Sequence, residues 1–366
     1  MAGSALEMDT IVNAAIEHGT LEKRLYDEFE DAEHLRIVVC GVGGGGNNTV
    51  NRLKRIGIGG ADLVAVNTDK QDLQKLDNEI TKILIGAKLM RGLGAGGFPE
   101  LGAKAAESSK AELTDVLTGT HLMFVVAGMG GGTGTGAAPI VAEIGKSLGA
   151  IVVAIVTFPF KLERARLIKA REGIDALRKV ADTVIVVDNN KLVEYVPNLP
   201  LDKAFSVADE IVARAVKGVT EAIMEPSLIN IDFADLRSIM GGGSVAVISV
   251  GEAEGGEDKV EAAVRNTLEH PLLDVDYRGA NGALIHVTGG EGLTLGDANK
   301  VGELLTKEFD PKATVIWGAR VDPKMGEKIE VIAIVTGVHS PNLVGHEAAS
   351  EYSGREEPIE WEVKEA

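Results

Sequence analysis

The sequence predicts an α/β protein: a doubly wound, mostly parallel sheet, then a long central helix, then a second, smaller α+β domain. From Arg36 onward, short continuous apolar runs alternate with longer helical patterns, as in a series of βαβ units. Continuous rather than alternating apolar runs indicate parallel strands that are covered on both faces. The length of 366 residues allows two or three domains at roughly 100–200 residues each.

The first half of the chain contains an N-terminal extension and the predicted parallel sheet. Residues 1–35 have an acidic, amphipathic helical pattern. Residues 36–200 form the first domain, and its expected strands are the apolar runs Ile37–Cys40, Leu63–Val66, Ile80–Ile85, Leu122–Ala127, Ile151–Val156 and Val184–Val187.

The second half begins with a helix over residues 201–224, which ends before Glu225-Pro226 because proline disfavours the α conformation in the preceding residue. Residues 225–338 form the smaller α+β domain, with helical patterns near 257–269 and 296–308. Its expected strands are Val245–Val250, Ala283–Val287, Thr314–Trp317 and Ile329–Val335. Residues 339–366 turn polar and predict a flexible tail with a short apolar end motif.

Charge and composition exclude several function classes. The 37 basic and 55 acidic residues give a formal net charge of −18, which disfavours sequence-independent binding of nucleic acid. No apolar run approaches the roughly 18 residues of a membrane span, so we expect no direct membrane insertion. A single cysteine, Cys40, and the lack of a visible secretory signal fit a cytoplasmic protein. The seven histidines are scattered, and no metal site built from protein ligands is predicted.

A first glycine cluster, Gly41 to Asn48, directly follows the first predicted strand and opens a helix. It satisfies GxGxxG, in which missing side chains let backbone amides approach a phosphate at a helix N-terminus. A tight strand-to-helix turn is the simpler interpretation. A dinucleotide-dependent dehydrogenase is a functional alternative, with Asp62 or Asp69 at a tolerable distance for a ribose contact.

A second cluster, Gly128 to Gly136, has no role in a dehydrogenase. Six glycines and two threonines within these nine residues predict a backbone that can fold its amides around an anion before the next helix. Neither cluster is GxxxxGK[ST] and neither contains lysine, so a Walker-type site is absent. A third glycine-rich stretch, Gly92–Gly102, either closes over a terminal phosphate or is a mobile surface loop.

The run Gly130 to Gly136 is the signature of the tubulin/FtsZ family, which the chain closely resembles over about residues 36–337. Four further motifs stand in the family's order: Gly41–Asn48, Asn67–Asp69, Gly94–Gly102 and Asn230–Asp235. The resemblance implies a GTPase that uses GTP, GDP and Mg²⁺ and assembles head to tail with itself in the cell-division ring.

The resemblance also implies a set of nucleotide contacts. Phe205 matches an aromatic residue that stacks on guanine, and Asp209, four residues later, shares its helix face. A carboxylate there accepts hydrogens from guanine N1 and N2, which adenine does not offer. The remaining contacts that it implies are Gly43, Gly44, Gly45, Asn47, Asn48, Asp69, Gly96, Gly97, Gly130, Gly131, Gly132, Thr133, Gly134, Thr135, Gly136, Glu163, Arg166 and Asn190.

Several of these residues also have simpler interpretations. Phe205 has the spacing of a core phenylalanine, the asparagines of turn or cap residues, and Asp69 of a helix N-cap. The segment from Glu163 to Arg166 lacks the family's glycine and is one residue shorter, which leaves the register of the arginine open.

The implied catalytic residues are Asn230, Asp232 and Asp235, a spacing that alone also describes a helix N-cap with acid in its first turn. If Phe205 and Asp209 contact the base, the central helix carries the chain about 25 Å away before these carboxylates occur. They then reach only a nucleotide on a neighbouring subunit, so hydrolysis requires polymerisation. A structural filament protein that binds GTP without turnover remains the alternative.

The end of the tail, Ile359 to Val363, has the form of a docking peptide. We expect it to bind a membrane-anchoring or regulatory division protein; a disordered end is the alternative.

Overall fold

The first half of the chain folds as alternating strands and helices. A computed structural model describes residues 35–224, 227, 229, 233–240, 244–256, 258–269, 277–307 and 309–338. The strands here are β1 (Ile37–Val42), β2 (Ala61–Asn67), β3 (Thr81–Leu84), β4 (Leu122–Gly128), β5 (Ile151–Phe158) and β6 (Thr183–Asp188). The helices are α1 (Gly43–Ile56), α2 (Lys70–Gln74), α3 (Ala87–Met90), α4 (Pro99–Ser108), α5 (Lys110–Leu117), α6 (Thr133–Ser147), α7 (Arg164–Val180) and α8 (Asn189–Tyr195).

These six strands are parallel and lie in the order β3-β2-β1-β4-β5-β6. The order reverses between β1 and β4, which is where doubly wound folds open a crevice at the carboxyl ends of their strands. β1 is buried along its whole length, as its continuous apolar sequence predicts. Burial also raises the pKa of the Cys40 thiol in β1 to about 12, so that cysteine is an inert core residue.

The second half contains the long helix α9 (Leu201–Met224), α10 (Phe233–Met240) and a smaller domain. Its strands are β7 (Ser244–Glu254), β8 (Gly282–Gly289), β9 (Thr314–Val321) and β10 (Lys328–Thr336), and its helices are α11 (Lys259–Leu268) and α12 (Leu295–Leu305). The strands lie in the order β7-β10-β8-β9; the β7–β10 and β10–β8 pairs are antiparallel and the β8–β9 pair is parallel. The predicted fold class is confirmed.

The two sheets are continuous through β7, whose first residues pair with β6 in parallel, Thr183 opposite Ser244. Helix α9 packs on both parts. Its Glu210 is ion-paired with Arg52 of α1, and its Glu221 lies 3.6 Å from the Arg320 guanidinium of β9. The described part of the helix extends to Met224, and Glu225 and Pro226, where the sequence predicts its end, lie outside the described residues. Apart from Leu35, the two predicted terminal segments, 1–35 and 339–366, lie outside the described residues.

Helices α4 and α6 approach each other closely at Gly136. A Cβ atom at that position would lie 1.8 Å from the Pro99 carbonyl oxygen and 2.8 Å from the Ala103 amide nitrogen. Both neighbours are backbone atoms, so no side-chain rotation relieves the contact. The glycine at the end of the signature run is therefore a packing requirement.

We predict that G136A lowers the free energy of unfolding by about 1–3 kcal/mol, because the added methyl forces the two helices apart. The matched control is G302A in α12, where a Cβ meets nothing within 4 Å. That change is expected to be neutral or to stabilise by up to about 1 kcal/mol through helix propensity. Urea unfolding followed by circular dichroism measures both, and equal effects of the two substitutions would contradict the packing argument.

Candidate functional site

A cleft of about 830 Å³ opens at the carboxyl ends of the parallel strands, over the point where the strand order reverses. Its walls come from the segments that follow β1, β2, β4, β5 and β6, and from the first turns of α9. This is the position at which doubly wound sheets bind ligands. The two main glycine clusters follow β1 and β4, so the topology brings them together.

The first two glycine clusters touch through their backbones. A Cβ on Gly43, which has a φ of +73°, would lie 2.7 Å from the Gly134 amide nitrogen. One on Gly45 would lie 3.2 Å from the backbone of Gly128. Both α1 and α6 begin here, without a side-chain cap and without an acidic residue in the first turn. Their free N–H groups and helix dipoles favour an anion in the cleft.

The third glycine stretch packs against the second. A Cβ on Gly132 would lie 2.8 Å from the Ala95 side chain and 3.1 Å from the Gly97 amide nitrogen. Of this stretch, Gly94 lines the cleft, whereas Gly96 and Gly97 do not. The Gly97 carbonyl instead accepts a hydrogen bond of 2.8 Å from Lys169 Nζ.

The two threonines of the signature use their hydroxyls within the protein. Thr135 Oγ1 accepts a hydrogen bond of 2.8 Å from the Gly130 amide, which fixes the turn before α6. The Thr133 hydroxyl lies 2.6 Å from that of Thr68, at the end of β2. Thr133 also lines the cleft, but Thr135 does not.

Asp69 is the N-cap of α2 and lines the cleft as well. Its Oδ1 accepts hydrogen bonds from the amides of Gln71, at 2.8 Å, and Asp72, at 3.2 Å. The simpler cap interpretation is therefore correct for one carboxylate oxygen. Asp72 lines the same wall, so two carboxylates lie beside the glycine loops. One or two carboxylates next to phosphates is the donor set that Mg²⁺ takes up in nucleotide sites.

The opposite end of the cleft holds Phe205 and Asp209, on the first turns of α9. Phe205 is 40% exposed and meets Phe160 edge to face at 5.6 Å, so it is not a core residue. Asp209 is mostly buried, and burial raises its pKa to about 6 despite a hydrogen bond from Thr49 and the charge of Arg52.

Glu163 and Arg166 form a pair on the rim of the cleft. Arg166 Nη1 donates to Glu163 Oε2 at 2.6 Å, and the other carboxylate oxygen accepts from the Phe160 amide at 3.1 Å. Gly130 lies beneath the arginine, where an added Cβ would be 2.8 Å from Arg166 Cβ. The shortened segment thus still places an arginine in the cleft.

The two asparagines after β6 have different surroundings. Asn190 is bound within the protein: its Oδ1 accepts from the Lys161 amide at 2.8 Å, and its Nδ2 donates to Asp188 Oδ1 at 2.6 Å and to the Pro159 carbonyl at 3.3 Å. It does not line the cleft. Asn189 does line it, and its buried Oδ1 has no hydrogen-bond partner. An acceptor with no partner beside a cleft is a natural ligand contact.

The two asparagines of the first glycine loop also differ in whether they line the cleft. Asn48 lines the cleft, whereas Asn47 is 1% exposed, does not line it, and has two buried polar atoms without a partner. The predicted site residues in the lining are Gly44, Gly45, Asn48, Asp69, Gly131, Gly132, Thr133, Gly134, Glu163, Arg166, Phe205 and Asp209. Those outside the lining are Gly43, Asn47, Gly96, Gly97, Gly130, Thr135, Gly136 and Asn190.

Sequence reasoning missed two cations in the cleft, Arg52 and Arg55 of α1. Arg52 lies four residues after Asn48 and Arg55 seven, the spacing that keeps residues on one helix face. That spacing could have placed both arginines in the cleft from the sequence alone. Charge compensation in the cleft is therefore not left to backbone amides alone.

Asp235 lies in the first turn of α10, at the other end of the sheet. The preceding Phe233 meets His121 edge to face at 6.3 Å, and His121 directly precedes the amino end of β4. β7, which follows α10, joins the amino end of β6. Asn230 and Asp232 lie outside the described residues.

Within the described ranges, no group of three or more His, Cys, Asp or Glu side chains is arranged to hold a metal ion. No helix in those ranges is long and apolar enough to cross a bilayer.

Two glycine loops and two uncapped helix N-termini at the switch point of a doubly wound sheet define a nucleotide-phosphate-binding protein. Comparisons with known proteins specify the family. Residues 36–197 match the model of the tubulin/FtsZ family GTPase domain, and residues 244–339 match that of the FtsZ family C-terminal domain.

Relatives and solved structures agree with this. The chain is 60% identical over 337 residues to cell division protein FtsZ 2 of Methanocaldococcus jannaschii, covering 92% of this chain and 88% of that protein. It is 51% identical to FtsZ 2 of Haloferax volcanii, covering 92% and 85%. An empty FtsZ dimer of M. jannaschii matches with a TM-score of 0.81 and 47% identity, covering 86% and 92%. A GTPγS-bound protofilament of CetZ2 from H. volcanii matches with a TM-score of 0.72 and 25% identity, covering 83% and 94%.

The chain belongs to the tubulin/FtsZ family, and its first domain is a guanine-nucleotide-binding GTPase domain of that family. It is a tubulin-like member of a filament-forming family, and the dehydrogenase and non-hydrolysing alternatives are not favoured.

We predict that N189A lowers the affinity for GDP about tenfold while leaving the unfolding temperature of the nucleotide-free protein unchanged, because the lost acceptor has no partner within the protein. The matched change N190A removes three hydrogen bonds and is expected to lower that unfolding temperature. Isothermal titration with GDP and differential scanning calorimetry measure the two effects. The reverse assignment of effects would show that Asn190 is the ligand contact.

Proposed function

We propose that this chain hydrolyses GTP only after assembling head to tail into filaments of a cell-division ring, with each active site completed by the neighbouring subunit. The observation that carries the proposal is the position of Asp235. The cleft lies at the carboxyl ends of the parallel strands, and α10 lies at their amino ends. β4 has seven residues, so at 3.3 Å per residue the two ends are about 20 Å apart.

A carboxylate at that distance cannot act on a phosphate in its own cleft, since a general base must be within hydrogen-bond reach of the reacting water. A second copy of the chain, translated along the strand direction, solves this problem. Its amino-end face, with Asp235, then lies on the cleft of the neighbouring subunit. Such a contact joins two different surfaces and does not close, so it generates a filament. The family's filament formation and the protofilament of CetZ2 support this arrangement.

In the cleft we assign the guanine base to the end with Phe205, Asp209 and Asn189. The exposed ring of Phe205 offers a stacking face, and the ionised Asp209 accepts two N–H donors from guanine. Asn189 replaces Asn190 in this assignment because its acceptor is the one left without a partner. The Glu163–Arg166 pair on the rim is placed for the ribose.

The phosphates belong between the first two glycine loops, against the N-termini of α1 and α6. Asp69 and Asp72 would hold Mg²⁺ there, which would neutralise phosphate charge when it is bound. Positioning and electrostatic stabilisation carry phosphoryl transfer, so the backbone amides and the cleft arginines supply most of what this chain contributes in cis.

The neighbour contributes Asp235 and Asp232, with Asn230 beside them. Their role is to orient the attacking water and accept its proton, a task typically worth about 10²–10⁴-fold. Loss of the terminal phosphate removes contacts across the subunit interface, which makes assembly reversible.

We also propose the domain division 1–35, 36–200, 201–224, 225–338 and 339–366, which the two family-model matches at 36–197 and 244–339 support. The protein is expected in the cytoplasm at the division site. The tail, through Ile359, Trp361 and Val363, is expected to bind a membrane-anchoring or regulatory division protein.

We expect light scattering to rise with GTP and to stay at baseline with ATP or GDP. Phosphate release should be negligible below a threshold protein concentration and rise steeply above it, because each active site needs two subunits. Both are measured in one concentration series. Phosphate release that is linear in protein concentration from the lowest point would contradict catalysis at the subunit contact.

We predict that D235A still assembles with GTP but hydrolyses it about 10²-fold more slowly or worse, because the water loses its base. The matched control is E269A, an exposed acid at the end of α11, which should leave turnover unchanged.

A mixing experiment separates catalysis in trans from catalysis in cis. D235A binds GTP but lacks the base, whereas the double variant D209A/N189A keeps the base and lacks two of the three assigned guanine contacts. Mixed, they should release phosphate faster than the sum of the separate rates, with co-sedimentation confirming joint filaments. Joint filaments without that gain would contradict the proposal.

A further inference from the structure

Thr49 is a polar residue on the buried side of α1, beside the cleft. It is 2% exposed, and its hydroxyl donates a hydrogen bond of 2.9 Å to Asp209 Oδ1 across the gap to α9. The Gly45 carbonyl, one turn earlier on α1, is a more distant acceptor at 3.4 Å. The short bond therefore joins the two helices at the carboxylate assigned to the base.

Asp209 depends on such a partner, because burial disfavours its charged form. Two groups on α1 act against that penalty: the Thr49 hydroxyl, by its hydrogen bond, and the Arg52 guanidinium, by its charge. Arg52 is also paired with Glu210, the next residue on α9, and Glu210 in turn accepts from Arg214. The arginine is thus shared, and Thr49 is the group that hydrogen-bonds the carboxylate itself.

We propose that Thr49 is a positioning residue for guanine selection: its hydroxyl fixes the rotamer of Asp209, so that the carboxylate accepts both guanine N1–H and N2–H. This inference rests on the proposed guanine site. A carboxylate can accept two donors only while ionised; once protonated, it offers one oxygen as an acceptor and presents a donor of its own. The identity of residue 49 thereby affects which base binds, without contact between Thr49 and the reacting phosphate.

A purely structural role for Thr49 and a positioning role predict different effects on nucleotide binding when the hydroxyl is lost. If the hydroxyl only tied α1 to α9, its loss would weaken GDP, IDP and ADP equally and at every pH. If it positions Asp209, its loss reduces the preference for GDP over IDP, whose base lacks the N2 amino group. It also raises the pKa of Asp209, so affinity declines from a higher pH as the solution is acidified.

The experiment uses the full chain, stripped of nucleotide, and titrates GDP, IDP and ADP between pH 5.5 and 8. Diphosphates are chosen because they separate binding from assembly. We expect T49V, which replaces the hydroxyl by a methyl group of similar size, to lower GDP affinity at neutral pH about three- to tenfold. The GDP-over-IDP ratio should shrink, and the acid limb of the profile should shift to higher pH. T49S should restore both, and T49A covers the case in which valine is poorly tolerated.

The matched control is T220V, a buried threonine on α9 whose hydroxyl donates to its own helix at the Val216 carbonyl. It should leave both the ratio and the profile unchanged. An unaltered ratio and profile in T49V and T49A, or no restoration by T49S, would overturn the role of Thr49. A wild-type protein that binds ADP as well as GDP would overturn the guanine site itself. Selection that is lost in D209N but intact in T49V would overturn only the inference about Thr49.

Discussion

The structure depends on backbone segments that approach one another more closely than side chains allow. At the switch point of the sheet, the loop after β1 touches the loop after β4, through Gly45 against Gly128 and Gly43 against Gly134. The third glycine stretch rests on the second at Gly132. A Cβ at any of these contacts would meet backbone or a buried side chain. The absence of side chains at these contacts is thus what lets the uncapped N-termini of α1 and α6 meet at one cleft.

The same constraint explains why the signature run cannot be treated as a list of ligands. Gly131, Gly132 and Gly134 line the cleft, but Gly136 is needed where α6 meets α4, and Gly130 where the chain passes under Arg166. A glycine-rich motif combines binding and packing requirements, and the sequence alone does not separate them. Most of the parallel strands were predictable because burial on both faces gives them a continuous apolar run, whereas β3, at the edge of the sheet, has only Ile83 buried.

Single-residue assignments were less predictable for a physical reason. Asn189 and Asn190 are the same residue type at adjacent positions, and the cap of α8 decides between them. The Asp188 side chain accepts from the Asn190 amide and side chain, and this turns Asn190 toward the loop after β5 and leaves Asn189 at the cleft. Such a choice depends on tertiary hydrogen bonds, which leave no periodic trace in a sequence. The arginines of α1 differ in this respect, because their helical spacing from Asn48 was visible.

A series of ion pairs along helix α9 links the cleft to the second domain. Beyond Asp209, Glu210 pairs with Arg52 of α1 and with Arg214, and Arg214 pairs with Glu252 of β7. Glu252 lies directly opposite Glu330 in the sheet, and burial together with that like charge raises the pKa of Glu330 to about 7. Like charges opposite each other are unfavourable, so the arginine of the central helix compensates a repulsion built into the second domain. Helix α9 is thus ion-paired with α1 near one end and with β7 and β9 further along, so one helix contacts both domains.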